Sequence, residues 1–223
     1  MLRRRQLWVP TWRAWTLAFT SAAVVAFLFL WQIHPFLAVD DGKPGGLLVV
    51  EGWANDRTFQ MAAAEFKRST YDQLFVTGGP IEYGAPMYEY KNYAERGMFL
   101  LHTMGVSSNR ITAVPAPLVK QDRTYVSAVT LHRWLNLHQT QATQIHLITE
   151  GAHARRSRLL LQKAFGPGVE VTVTSGEPLG YDPARWWRSS SGVRSVIGET
   201  IAYLYVRLLF WPERQSLWEP MPE

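Results

Sequence analysis

The sequence predicts an α/β domain, a parallel sheet with helices on both faces, standing behind one apolar N-terminal helix. Three observations carry that expectation. Short runs dominated by apolar residues recur at Leu47–Val50, Gln73–Val76, Ile111–Val114, Ile145–Thr149 and Val169–Val173. Segments of helical period separate them, as crossover helices separate parallel strands. Ahead of all of them, Ala14 to Ile33 runs twenty residues without a formal charge.

That N-terminal run comes first. A helix rises about 1.5 Å per residue, so such a run matches the roughly 30 Å hydrocarbon core of a bilayer. Arg3, Arg4, Arg5 and Arg13 precede it and the first acid is Asp40. Positive charge stays inside, so residues 1–13 are expected to be a cytoplasmic tail, 14–33 a bilayer anchor, and the main domain extracytoplasmic. Trp8, Trp12 and Trp15 near one end and Trp31 near the other suit the headgroup regions. A cleaved signal peptide is the competing reading. Its apolar core would be short, about 7–15 residues, and the nearest cleavage candidate, ending at Ala38, has bulky Phe36 two residues earlier. The sequence therefore favours a retained anchor.

Residues 34–45 read as a linker, carrying most of Asp40–Gly46 (DDGKPGG), and 46–211 as the domain. Leu47–Val50 is the first strand, ending at Glu51-Gly52-Trp53. Asp56 is placed to cap a helix that turns Phe59, Met61, Ala62 and Phe66 inward. Gln73–Val76 is stopped by Thr77-Gly78-Gly79-Pro80. A helix from about Met87 to Met104 and a strand near Ile111–Val114 follow. Thr124–Leu137 is helical, with Val126, Val129, Leu131 and Trp134 as core positions. Ile145–Thr149 is a strand, His153–Phe165 a helix and Val169–Val173 the last strand. The alternation amounts to a Rossmann-like arrangement. Ser189–Ser191 cap a final helix whose stripe of Val193, Val196, Ile197, Ile201, Leu204 and Leu208 is expected to pack on the domain. Arg194, Glu199 and Arg207 keep that helix from spanning, and the flanking Trp186, Trp187, Phe210 and Trp211 either pack with it or, as the lesser alternative, dip toward the membrane. Residues 212–223 read as a tail.

Charge and composition narrow the function classes. Beyond residue 13 the basic and acidic residues number 19 and 18, a balance of +1, so the basic character belongs to the N-terminal tail and does not indicate nucleic-acid binding. Without cysteine there is no disulfide, thiolate chemistry or cysteine metal site. His132, His138, His146 and His153 do not match His-Glu-x-x-His, so no metal site is expected; His132 and His138 read as helix-surface residues. Neither a dinucleotide G-x-G-x-x-G nor a P-loop occurs, and no serine elbow or other activated nucleophile is present.

In open parallel sheets, ligands bind beyond the carboxyl ends of the strands, where helix N-termini favour anions. Three strand ends carry unusual residues: Glu51-Gly52-Trp53, Thr77-Gly78-Gly79-Pro80 and Glu150-Gly151-Ala152-His153-Ala154-Arg155-Arg156, with Arg123-Thr124 and Ser127-Ala128 between the last two. This set resembles the YdcF/SanA/ElyC family, an envelope domain of unknown function, over roughly residues 46–175, and the apolar N-terminal segment matches its anchored members. The resemblance implies a Rossmann-like fold in the bacterial inner (plasma) membrane and a role in envelope integrity or peptidoglycan precursor metabolism. One soluble member is associated with S-adenosylmethionine; no cofactor is assigned here. The chain departs from the family where Glu51-Gly52-Trp53 replaces a Gly-Gly strand end, and where Ser127 replaces an amide.

The candidate groups follow. Gly78 and Gly79 let the backbone approach a ligand or adopt positive φ, or form an ordinary turn. His153 and Arg156, three apart, share a helix face. His153 would bind an oxyanion or move a proton and Arg156 would grip it; otherwise His153 caps the helix and Arg156 pairs with Glu150 or Asp122. Glu51 is a general base or an ion-pair partner of Arg57 or Arg123. Arg123 is a second anion ligand or the ion-pair partner of Asp122, with Thr124 and Ser127 lining the site beside it. Glu89 belongs to a wet helix face with Lys91 and Glu95, and Arg155 and Arg158 point to solvent. Two functions result. The domain binds a phosphorylated small molecule, nucleotide-like ligand or lipid-linked glycan intermediate and acts on it through His153 and Glu51, or it is a non-catalytic envelope-integrity factor that docks a protein partner.

Overall fold

A computed structural model describes residues 10–81 and 90–212. The strands β1 (Leu47–Glu51), β2 (Gln73–Gly78), β3 (Ile111–Pro115), β4 (Gln144–Glu150) and β5 (Glu170–Gly176) form one sheet. Every pairing is parallel, in the order β3-β2-β1-β4-β5. This is the Rossmann-like sheet expected, with its switch point between β1 and β4. Each strand reaches farther at its carboxyl end than its apolar run, because polar residues there keep the ladder: Glu51 pairs with Thr77, and Thr149 and Glu150 with Ser175 and Gly176.

Alternation across β1 divides the core. Leu48 and Val50 pack with Phe59, Ala62, Phe66 and Leu101 on one face, Leu47 and Val49 with Leu131, Leu160 and Leu161 on the other. The first layer comes from α2 (Asp56–Arg68) and α3 (Tyr93–Thr103), the second from α4 (Arg123–Leu137) and α5 (Ala154–Phe165). Burial on both faces explains why the neighbouring strands β1 and β2 carry continuous apolar runs, Leu47–Val50 and Leu74–Val76.

Several local expectations are corrected. Asn55, not Asp56, caps α2, accepting from the Thr58 amide at 3.0 Å. Asp56 instead stands in the first turn, where a carboxylate suits the helix dipole. The third helix begins at Tyr93 under an Asn92 cap, not at Met87; Met87 and Glu89 lie outside the described residues, as do Trp8 and Arg3 to Arg5. On α4 Val129 and Leu131 are buried as expected, but in the first turn Tyr125 is buried in place of Val126, which like Trp134 is only half-buried.

The N-terminal helix α1 (Trp12–Leu37) overruns the expected 14–33 span at both ends. Its 26 residues make about 39 Å of length, and it is long and apolar enough to cross a membrane. Trp12 is 71% exposed and most of the helix stands clear of the domain, but its last turns dock. Ile33 and Leu37 are buried with Ala152, Trp186 and Val196. Arg155 and Arg158 are not simply solvated. The Arg155 guanidinium lies 4.0 Å from the Phe36 ring centroid and donates to the Phe36 carbonyl, and Arg158 pairs with Asp41. Asp41 also exchanges hydrogen bonds with Val173 at 2.9 and 3.0 Å, so the segment after α1 is pinned along β5.

The last helix, α6 (Ser190–Leu208), begins under a Ser189 cap as expected, but of its expected stripe only Val196 is buried and the rest points outward. Val193 is 40% exposed, Ile201 64% and Leu208 63%. The packing face is the opposite one, with Val196 and Val206 buried and Glu199 and Tyr203 half-buried.

Candidate functional site

Beyond the carboxyl ends of β1, β2 and β4 lies a crevice of about 750 Å³. Glu51, Gly78, Gly79, Arg123, Thr124, Ser127, His153 and Arg156 all line it, so the fold brings every expected site residue to one place. A wider cavity of about 830 Å³ at the opposite end of the sheet, between Lys163 and Trp211, gathers no comparable set of convergent groups.

The crevice floor is built around Glu51, the last residue of β1 and 6% exposed. A buried carboxylate needs donors. Thr149 on β4 donates to its Oε2, and Ser157 on α5 donates to its Oε1 at 3.0 Å. Its partners are therefore neither Arg57, which pairs with Glu177 on the surface, nor Arg123. The short 3-10 turn Gly151–His153 links β4 to α5 and swings the imidazole of His153 over this floor. The Trp53 ring stands edge-on to it at 4.8 Å between centroids.

Sequence reasoning missed Glu199, the group that orders the site. From α6 its Oε1 lies 2.7 Å from His153 Nδ1, and its Oε2 accepts from Arg156 Nε at 2.7 Å. A second Arg156 contact, from Nη2 to Oε1 at 3.0 Å, makes the pair bidentate. Nδ1 stands between this carboxylate oxygen and Arg156 Nη2, which is 2.9 Å away. A proton on Nδ1 directed to Glu199 leaves the lone pair on Nε2, and a lone pair on Nδ1 accepting from Arg156 puts the proton on Nε2. That Nε2 is buried without a hydrogen-bond partner, 3.7 Å from Glu51 Oε2. Burial pushes the Glu199 carboxyl up, but hydrogen bonds from His153 and Arg156 and the guanidinium charge facing it outweigh this and hold the pKa down at about 2. Arg156 accordingly pairs with Glu199 rather than Glu150 or Asp122, and His153, at the N-cap position of α5, makes no side-chain capping hydrogen bond. A ligand anion reaching Arg156 has to share it with Glu199 or displace that carboxylate. One signal was readable: position 199 shares a helix face with Val196 and Tyr203, the face that packs inward.

The opposite wall presents the start of α4. Asp122, in a left-handed conformation with φ 55°, precedes it without a side-chain cap, leaving the first turn to Arg123, Thr124 and Ser127. Lys120 lines the same wall. The two glycines act differently from each other and neither has positive φ. A Cβ on Gly78 would stand 2.7 Å from Tyr93 Cβ, so this glycine lets α3 close onto β2. A Cβ on Gly79 would have 3.8 Å to its nearest neighbour, which leaves that backbone open to the crevice.

Among the described residues no cluster of three or more histidine or carboxylate side chains is arranged to hold a metal. His146, 2% exposed, lies between the Tyr71 hydroxyl at 2.6 Å and the Thr174 hydroxyl at 2.9 Å. His132 lies 4.8 Å from the Phe165 ring and its pKa is lowered by burial, so it is no simple surface residue; His138 stacks on Trp134. The crevice thus places His153 Nε2, without a hydrogen-bond partner, above the Glu51 carboxylate, with Lys120 and Arg123 on the facing wall. No family model, curated protein or solved structure matches the chain.

Proposed function

We propose that the crevice binds a phosphorylated or nucleotide-like ligand and carries out acid–base chemistry on it. In this reading α1 is a single-pass anchor in the bacterial inner membrane, with the N-terminus cytoplasmic and the domain outside. The protein then belongs with the YdcF/SanA/ElyC-like envelope proteins and serves cell-envelope or peptidoglycan precursor metabolism. The observation that carries the chemical part is the imidazole of His153. One nitrogen is committed to Glu199 and the other is buried without a hydrogen-bond partner above Glu51. A carboxylate behind an imidazole fixes its tautomer and stabilises the imidazolium formed when it takes a proton.

The roles divide by wall. Arg123, Lys120 and the open start of α4 meet the phosphoryl oxygens. Thr124, Ser127 and the Gly79 backbone border the same space. His153 Nε2 removes the proton of the attacking group and returns it to the leaving group, with Glu51, 3.7 Å from that nitrogen, as the carboxylate that stabilises the imidazolium in between.

Ligand binding to the full-length chain in lipid nanodiscs tests this. The panel is nucleotides, nucleotide sugars, S-adenosylmethionine and short polyprenyl phosphates, read by thermal shift. A ligand that binds only the folded state at a hundredfold excess over Kd stabilises by about 2.7 kcal/mol. The expected result is a shift with a phosphorylated ligand that Arg123→Ala weakens, and a turnover that His153→Gln abolishes while leaving the shift intact. A panel without any shift overturns the ligand class. A His153→Gln variant with wild-type turnover overturns the chemistry.

A further inference from the structure

The end of α1 and the walls of the crevice are not separate regions. The Trp186 indole, 2% exposed, donates at 3.0 Å to the carbonyl of Leu30, a residue inside the apolar stretch of α1. Tyr181, which lines the crevice, has its hydroxyl 3.3 Å from His34 Nε2 on the same helix. Ala152, next to His153, is buried against Ile33 and Leu37. All three contacts come from the connections that follow β4 and β5. The carboxyl end of the sheet therefore faces the side from which α1 arrives.

The depth of one connection follows from the Leu30 contact. The turn Pro183–Arg188 is hydrogen-bonded to a carbonyl within α1's apolar run, one turn before the helix is buried in the domain. Its sequence is Pro-Ala-Arg-Trp-Trp-Arg. Trp187 is 38% exposed, Arg185 and Arg188 are exposed beside it, and Trp31 on α1 is 59% exposed. Exposed indoles flanked by guanidiniums, level with the end of an apolar span, suit the headgroup layer, where the rings lie among the glycerols and the arginines meet lipid phosphates.

From this continuity we infer that the Pro183–Arg188 turn seats the domain on an anionic lipid surface, that of the bilayer α1 enters, with the crevice opening at the headgroup layer. The inference rests on the reading of α1 as an anchor. A ligand then reaches His153 from the membrane surface, so amphiphiles with a phosphorylated head have the shortest path.

The chain has no cysteine, so single cysteines report on one position each. Leu28→Cys on α1, Ala184→Cys in the turn and Gln141→Cys at the opposite end of the sheet would carry a small fluorophore. The full-length protein is placed in liposomes of phosphatidylcholine with phosphatidylglycerol and lipid-borne nitroxides. The expected pattern is deep quenching at Leu28→Cys, quenching by shallow nitroxides at Ala184→Cys, and none at Gln141→Cys. Adding Arg185→Glu and Arg188→Glu should lower the Ala184→Cys signal severalfold and leave that of Leu28→Cys unchanged. Quenching at Leu28→Cys with Ala184→Cys as unquenched as Gln141→Cys overturns the seating and leaves the anchor standing. No quenching at Leu28→Cys removes the anchor and the seating with it. An Ala184→Cys probe shielded from aqueous quencher yet untouched by lipid nitroxides means that a protein covers the turn, and this also overturns the inference.

Discussion

Replacing Glu199 by glutamine keeps the side chain's shape and one acceptor oxygen but removes the charge that both Arg156 and His153 face. The cost follows from the depressed pKa. Glu199 sits at about 2 in the fold against an ordinary 4.5, which at about 1.4 kcal/mol per pK unit corresponds to roughly 3 kcal/mol at neutral pH. Both partners are only 17% exposed, so solvent screening removes little of it. Breaking a buried ion pair from one side costs about 3–5 kcal/mol in other proteins, and the remaining amide oxygen puts this case at the lower end. For a chain of this size about 1 kcal/mol moves Tm by roughly 2–4 °C, so Glu199→Gln should melt about 6–12 °C lower at pH 7. The pH dependence is a second signature. A carboxyl with a depressed folded pKa contributes stability above its unfolded pKa and loses it as pH falls through the folded one. The gap between wild type and Glu199→Gln should therefore be full at pH 6 and fall to about half at pH 3. Differential scanning calorimetry of both proteins in nanodiscs reads this directly, since the other carboxyls titrate alike in each. A gap below about 1 kcal/mol at pH 7, or one that does not narrow on acidification, refutes the assignment of Glu199 as the charge that organises the site.

Three further outcomes are expected. His153→Gln should lower turnover of the ligand found by thermal shift by about 10²–10⁴-fold in a product assay, because it removes the free Nε2 while keeping a donor for Glu199. Gly78→Ala should destabilise by about 1–3 kcal/mol in chemical denaturation, because its Cβ meets Tyr93 at 2.7 Å, whereas Gly79→Ala, with 3.8 Å of clearance, should fold like wild type. Burial lowers the pKa of His146, a group held neutral between Tyr71 and Thr174. Stability tied to it is present above pH about 6.5 and lost as pH falls through the lowered folded value, so a denaturation series should show this loss in the wild type and not in His146→Gln.

The fold was legible because its central strands are buried on both faces and so carry continuous apolar runs such as Leu47–Val50 and Leu74–Val76. The site was legible where residues sit at strand ends: Glu51, Gly78, Gly79, His153 and Arg156 converge because parallel strands end on one edge. What stayed hidden depends on long-range docking. Residue 199 stands well over a hundred residues from Glu51 in sequence, on a helix whose hydrophobic stripe suggested the opposite packing face. Its true inward face, Val196, Glu199, Tyr203 and Val206, is mixed in polarity, so periodicity points to Ile201 and Leu208 instead. The same holds for the segment after α1, where Asp41 looks like linker until Arg158 and Val173 are placed beside it.

These long-range contacts join parts of the molecule that the sequence reads as separate. Glu199 reaches His153 only because α6 docks, and α6 docks partly on α1: Val196 packs with Ile33 and Leu37, and the Tyr203 ring meets Phe36 at 5.6 Å. Cutting the chain between anchor and domain would therefore expose Leu37 and Trp186 and loosen the helix that carries the site's carboxylate. Burial of two such side chains is worth several kcal/mol, comparable to the ion pair they help to position. The tautomer of His153 thus depends, through Glu199 and α6, on how the last turn of α1 is held. A domain released from its N-terminal helix is expected to keep its sheet, whose aliphatic layers lie elsewhere, before it keeps the geometry of the crevice.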